Sequence, residues 1–227
     1  MKNLTLIFIS SFFLASCGTM ATQTKIEAYP AMYDDRQPLS VLVIPAINKT
    51  TAADATDYFN VTITEPLSNL GYYTMPVEIV KDIFLKEGIV DSQMIKGIPT
   101  SVFRKNFGAD AVLFITINAW DKNYMVIAGN VTVSMEYVML STDTNEILWQ
   151  YSATQVVDTS ADSSGFLLAD LITTALTTAT TDYVPIAKQV NYQAFAGLPH
   201  GKYSSLYRTD GEQAILVSLK DAATDEN

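Results

Sequence analysis

The amino-acid sequence predicts an α/β (α+β) fold: a mixed sheet with a C-terminal antiparallel meander and helices packed on it. Three observations carry this. In the first half, apolar runs and helical stripes follow in the order strand, helix, strand, helix, helix. From Ala111 to Val157 the apolar period drops to two through three successive strands. Apolar residues make up 48% of the chain and charged residues 17%, the balance of a folded body with a sizeable core.

The chain opens on Lys2 and an apolar run, Leu4 to Leu14, broken only by Thr5, Ser10 and Ser11. About 11 residues suit the core of a secretory signal and are too few to span a bilayer comfortably. Leu14-Ala15-Ser16-Cys17 then has the pattern of a bacterial lipobox: the Cys thiol takes a diacylglyceryl group, the leader is cut before it, and the new amine is acylated. Residues 1–16 are therefore expected to be a lipoprotein signal peptide, and Cys17 the lipidation site. Cys17 is the only cysteine, so its modification leaves no thiol for disulfides, metals or redox work.

Residues 17–38 show little periodicity and are punctuated by Pro30, Asp34, Asp35 and Pro38. They read as a lipidated tether, reaching at most roughly 70 Å extended and about 25 Å as a coil. Asp34-Asp35-Arg36 reads as a solvated turn in preference to a metal or substrate site. A single globular domain is expected over 39–220, with a tail at 221–227.

Leu39 to Pro45 (LSVLVIP) is a β-branched apolar run and reads as a buried strand. Asp54 to Leu70 places Ala55, Tyr58, Phe59, Ile63, Leu67 and Leu70 at helical spacing, with a kink or break expected at Pro66. Tyr72 to Met75 is a short strand. Pro76 starts a helix through Glu87 with Val77, Val80, Phe84 and Leu85 facing inward, and Gly88 ends it. Ser101 to Phe107 is a third, short helix. Ala111 to Trp120, Asn130 to Leu140 and Glu146 to Val157 form the meander. Val131, Val133, Met135, Tyr137 and Met139 share one face of it, as do Ile147, Trp149, Tyr151 and Ala153.

Asp162 or Ser163 caps a last helix whose stripe, including Leu168, Ile172 and Leu176, is expected to lie over Trp149. Its other face is threonine-rich, and Thr174 and Thr178 are candidate contact residues unless that face is simply solvated. From Pro185 onward the pattern is loop-rich, with a weak late strand at Ala214 to Leu219.

A net charge of −10, with 14 Lys and Arg in no cluster, disfavours nucleic acid and anionic lipid headgroups as partners. His200, the only histidine, sits between Pro199 and Gly201 and reads as a turn residue rather than a general base. No spacing suits metal ligation and no nucleotide-binding glycine motif occurs, so no metal, cofactor or catalytic residue is expected. Asp54 and Asp57 read as helix caps and dipole partners. Tyr192, Tyr203 and Tyr207, with Tyr72 and Tyr73, suit an interface, though packing explains them equally well.

Three separated stretches, LSVLVIPAINKT, YFNVTITEPLSNLGYY with the following PVEIV, and LPHGKYSSLY, together resemble a family of bacterial lipoproteins of unknown function that includes a neisserial surface lipoprotein. The resemblance covers roughly residues 26–210. It implies a fold like the amino-terminal domain of the translocation protein TolB, shared with the curli secretion channel lipoprotein and with lipoprotein activators of penicillin-binding proteins. It supplies no catalytic residues. It implies a periplasm-facing protein, and Gly18 rather than Asp after the lipid points to the outer membrane, with surface exposure left open. The expected role is non-catalytic, by protein contacts in an envelope assembly related to curli-channel-like secretion, with a curli-channel-like lipoprotein as candidate partner and homo-oligomerisation open. The alternatives are a regulator or activator of a cell-wall enzyme, or a small-ligand-binding module.

Anchoring rests on Cys17, and three acyl chains exceed the single chain that gives only marginal membrane binding. Cys17→Ala is expected to abolish labelling by a radioactive fatty acid and to leave the protein soluble or unprocessed. Equal labelling of variant and wild type would refute the anchor.

Overall fold

The structure, a computed structural model, describes residues 20–124, 129–158 and 183–218. The chain runs β1 (Met20–Thr24), α1 (Lys25–Ala28), a 3-10 turn (Pro30–Met32), β2 (Ser40–Val43), β3 (Ile47–Asn48), α2 (Ala55–Thr62), α3 (Thr64–Asn69), β4 (Tyr73–Thr74), α4 (Val77–Lys86), α5 (Ser92–Ile95), α6 (Thr100–Phe107), β5 (Ala111–Tyr124), β6 (Gly129–Ser141), β7 (Ile147–Asp158), α7 (Val184–Ala194), a second 3-10 turn (Phe195–Gly197) and β8 (Ala214–Ser218). The main sheet has the order β4-β2-β5-β6-β7, with β3 also pairing β5. β2, β3 and β4 pair in parallel, while β5, β6 and β7 form the antiparallel meander. This is the mixed α+β architecture that the sequence predicts.

Period-two patterning decides the layers. On β5, Ala111, Leu113, Ile115 and Ile117 face a core that also holds Phe59 and Ile63, inward residues of β6, and Ile186 and Val190 of α7. The alternate residues Val112 and Phe114 face a second, smaller core with Val80, Phe84, Ile95 and Phe103. The sheet is thus covered on both faces around β2 and β5. Along β6 and β7, the face opposite the main core is polar and partly open, carrying Thr132, Ser134, Ser152 and Thr154.

Several expectations are corrected. The supposed tether is structured from Met20: β1 pairs β8 antiparallel from Met20↔Ser218 to Thr24↔Ala214. Thr24 caps α1 with a reciprocal Glu27 bond, and Met32 lies in the main core. Asp34 and Arg36 form an exposed pair at 2.5 Å, in keeping with a solvated turn. The helix break falls at Ile63, not Pro66; Pro66 lacks the N–H that would bond the Thr62 carbonyl four residues earlier, so the disruption appears one turn upstream. Leu85 is 46% exposed. Ile147 is 51% exposed while Leu148 is buried, because the β6–β7 register shifts between Met139 and Leu140; such a shift moves a side chain to the other face. The stretch after Pro185 is helical, since Pro185 occupies the first turn of α7, where it costs no backbone bond.

Trp149 is 1% exposed. Its ring stacks on Tyr151 at 6.3 Å and 3° and meets Phe195 at 5.4 Å. The Leu168/Ile172/Leu176 stripe lies outside the described residues; among those described, Phe195 and Tyr137 flank the indole. Truncating a large core aromatic costs about 3–5 kcal/mol, so Trp149→Ala should lower the urea midpoint by an amount worth that much. An unchanged midpoint would contradict this packing.

Candidate functional site

A buried group of ionisable side chains forms where the two ends of the described chain meet. Lys25 on α1 is 2% exposed and Asp210 is 2% exposed. Lys25 Nζ lies 3.0 Å from Asp210 Oδ2 and donates to the Leu198 carbonyl at 3.2 Å. His200 approaches the same Oδ2 through Nδ1 at 2.7 Å and donates its backbone N–H at 3.1 Å. Tyr33 donates to the other oxygen, Oδ1, at 3.1 Å. Burial opposes ionisation of Asp210, but hydrogen bonds from His200 and Lys25 outweigh it and hold the carboxyl below its ordinary value. Burial first, then the Asp210 charge, pushes the Tyr33 hydroxyl well up.

Backbone contact between two glycines fixes the loop that carries His200. Gly201 N–H donates to the Leu70 carbonyl at 2.8 Å, and Tyr203 N–H donates to that of Gly71 at 3.1 Å. Gly71 has φ +89°, and a Cβ there would lie 2.3 Å from the Ser204 nitrogen. A Cβ on Gly201 would lie 2.5 Å from the Gly71 oxygen. Tyr72 then donates its hydroxyl to the Pro199 carbonyl at 2.6 Å. Two of the three sequence stretches singled out above, around Gly71 and around Gly201, are therefore one structural unit.

Elsewhere, a cleft of about 470 Å³ opens between the α1 turn and the start of β7, lined by Gln23, Tyr29, Arg36, Glu146 and Trp149 among others. The indole Nε1 of Trp149 has no hydrogen-bond partner among the described residues. A buried polar chain ties the layers: Tyr137 donates to Asn191 Oδ1 at 2.6 Å, and Asn191 donates to the Thr62 hydroxyl at 2.8 Å. Among the described residues, no group of His, Cys, Asp or Glu could hold a metal ion, and no helix is long and apolar enough to cross a membrane.

Of the residues singled out from sequence, Cys17, Thr174 and Thr178 lie outside the described residues. Tyr192 on α7 donates to Glu65 at 2.9 Å and accepts from Asn69 at 2.8 Å. Tyr203 is 69% exposed, and Tyr207 carries the Arg208 guanidinium over its ring at 5.2 Å. Tyr192 and the Tyr203 loop both contact the α3–β4 corner, but through separate bonds. Asp54 stands at the start of α2 without a side-chain capping bond and accepts from Tyr58 instead; Asp57 pairs with Lys81 at 3.5 Å. Lys25, Tyr33 and Asp210 carry no sequence signal that would have found them.

Fold and site together define an α+β domain whose main ionisable cluster is turned inward. The chain belongs to the GNA1162-like lipoprotein family, whose model matches residues 28–202. It is 25% identical over 171 residues to lipoprotein NMB1124/NMB1162 of Neisseria meningitidis serogroup B, covering 74% of this chain and 80% of that protein. The crystal structure of lipoprotein GNA1162 from Neisseria meningitidis is similar with a TM-score of 0.52 at 28% identity, over 62% of this chain and 96% of that one. The PelC dodecamer from Paraburkholderia phytofirmans is similar at 14% identity, with a TM-score of 0.48 over 82% of this chain and 99% of that one.

Two outcomes test the cluster. Removing one partner of a buried pair typically costs about 3–5 kcal/mol, so Asp210→Ala should unfold at a markedly lower temperature. Because the folded carboxyl titrates below the ordinary 3.8, its contribution is complete above the unfolded value and disappears as pH falls through the folded one. Thermal midpoints at pH 7 and pH 3 should therefore fall further apart in wild type than in Asp210→Asn. For the glycine contact, Gly201→Ala should destabilise the domain, because the obstructing atom is backbone and cannot swing aside; an unaltered midpoint would show that the loop yields.

Proposed function

We propose that this chain is an outer-membrane lipoprotein, anchored through Cys17 and facing the periplasm, that works without turnover by contacting other envelope proteins. Membership of a lipoprotein family supports the anchor. The observation that carries the mode of action is the inward-facing cluster. Both oxygens of Asp210 are engaged by Lys25, His200 and Tyr33, so the one histidine and its carboxylate hold the chain together instead of facing a substrate.

The start of β1 supports confinement. Met20 is three residues after Cys17 and is paired into the β1–β8 sheet. Three residues span about 10 Å at most, so an anchored body stays against the bilayer instead of standing clear on a long tether. Confinement to a layer raises the effective concentration of co-anchored proteins, and weak interfaces become occupied. On family resemblance, a curli-channel-like lipoprotein is the first candidate partner.

The test is photocrosslinking in intact cells from exposed positions such as Tyr203, followed by identification of the attached proteins. Recovery of envelope lipoproteins is the expected outcome. Recovery of a cell-wall synthase would favour a regulatory role, and turnover of a cell-wall or lipid substrate that is lost in His200→Ala would overturn the non-catalytic reading.

A further inference from the structure

The cleft of about 470 Å³ beside the start of β7 lies within the usual range of small-molecule sites, about 300–1,000 Å³. Its two walls, the segments 23–31 and 146–150, are tied across. The Tyr29 hydroxyl on one side donates to the Gln150 carbonyl on the other at 3.2 Å, and Arg36 Nη1 meets Glu146 Oε2 at 3.5 Å. Thr24 holds Glu27 by two bonds of 2.8 Å to Oε2. The site is therefore largely formed before anything enters it.

The polar groups left over define what fits. Arg36 commits Nε and Nη2 to Asp34, at 2.8 and 2.5 Å, which leaves Nη1 toward Glu146. Glu27 and Glu146 each keep Oε1 without a partner among the described residues. Trp149 also lines the cleft and is 1% exposed. Its Nε1 has no acceptor among the described residues, a costly state for a buried donor. Leu148 and Val217, both buried, supply apolar wall.

Two carboxylates against one guanidinium, on a chain of charge −10, oppose an anion. An ammonium cation has donors only and offers nothing to the indole. A neutral molecule with both donors and acceptors remains. Arg36 Nη1 and Glu146 Oε2 are a donor and an acceptor 3.5 Å apart. That spacing suits one atom that accepts from the first and donates to the second. A hydroxyl does so, whereas a peptide carries its N–H and its carbonyl on different atoms. The buried indole calls for an acceptor with no proton of its own to leave unpaired, hence a carbonyl. The geometry points to an N-acetylated amino sugar as the ligand of this cleft. Its ring hydroxyls bridge Arg36 and Glu146, its acetamido carbonyl accepts from Trp149 Nε1, and the acetamido methyl packs on Leu148 and Val217. This goes beyond protein contacts and does not depend on the anchor.

The chain has two tryptophans. Trp120 is also buried with an unpartnered Nε1 but does not line the cleft, so it is an internal control. In the full chain, labelled with a nitrogen isotope and held in detergent, triacetylchitotriose should move the Trp149 indole signal saturably and leave that of Trp120 in place. Trp120→Phe and Trp149→Phe, each losing one signal, assign the two. Cellotriose has the hydroxyls without the acetamido groups and should bind about tenfold more weakly, the effect of one lost hydrogen bond to a buried donor. Arg36→Met should weaken the acetylated trisaccharide by about as much with the thermal midpoint unmoved, since its ion pairs lie at the surface. Purified cell-wall sacculi separate the two sources of such a sugar. Sedimentation of the chain with sacculi, reversed by the trisaccharide, assigns the polymer; saccharide binding without sedimentation assigns a free oligosaccharide. No saturable shift at Trp149, equal shifts of both indoles, equal affinity for cellotriose, unchanged affinity in Arg36→Met, or tighter binding of a neutral dipeptide amide would each overturn the proposal.

Discussion

The ends of this fold depend on one carboxylate. Asp210 and Lys25 are 185 residues apart in sequence, and neither tolerates burial alone. Taking a lone charge out of water costs several kcal/mol, and a buried pair is neutral or better only when its remaining polar sites are satisfied. Here the conditions are met by Lys25, the His200 ring and backbone, and Tyr33, while the Leu198 carbonyl takes a further Lys25 proton. The cluster therefore contributes specificity as much as energy. It fixes α1 against the 198–210 loop, and with them the register of β1 on β8.

That loop is held from its other side by a different kind of constraint. Gly71 and Gly201 approach until no Cβ fits between them, and Tyr72 anchors its hydroxyl on Pro199. Electrostatics fixes one flank and steric exclusion the other. The 198–210 segment acts as a clasp joining the α3–β4 corner to the amino-terminal segment, and its exposed tip carries Tyr203 and Leu206. The surface tyrosines thus sit on a loop made rigid from both sides, and a rigid contact surface loses little conformational entropy on binding.

Legibility in the sequence followed the range of the interactions. The meander was readable because alternation is local: Val131, Val133, Met135, Tyr137 and Met139 announce their face without reference to any partner. Helix α7 carried a signal as well, with Ile186, Val190 and Ala194 four residues apart, but Pro185 reads as a breaker unless it is recognised as a first-turn residue. β1 was not readable at all. MATQT has no apolar alternation, and its strand character comes from β8 at the far end of the chain. The Lys25–Asp210–His200 cluster was hidden for the same reason, since its members have no common spacing. Ile147 was misassigned because a single register shift, invisible in composition, reverses the face.

Layering and anchoring bear on each other. Around β2 and β5, side chains pack against both faces of the sheet. The β6–β7 half packs its inward face on the main core, while its other face carries Thr132, Ser134, Ser152 and Thr154. The anchor proposed at Cys17 lies three residues before β1, so under that proposal the orientation of that half is restricted as well. A span of three residues from that proposed anchor to β1, about 10 Å at most, would limit tilting of the body against the bilayer, which a longer tether would allow.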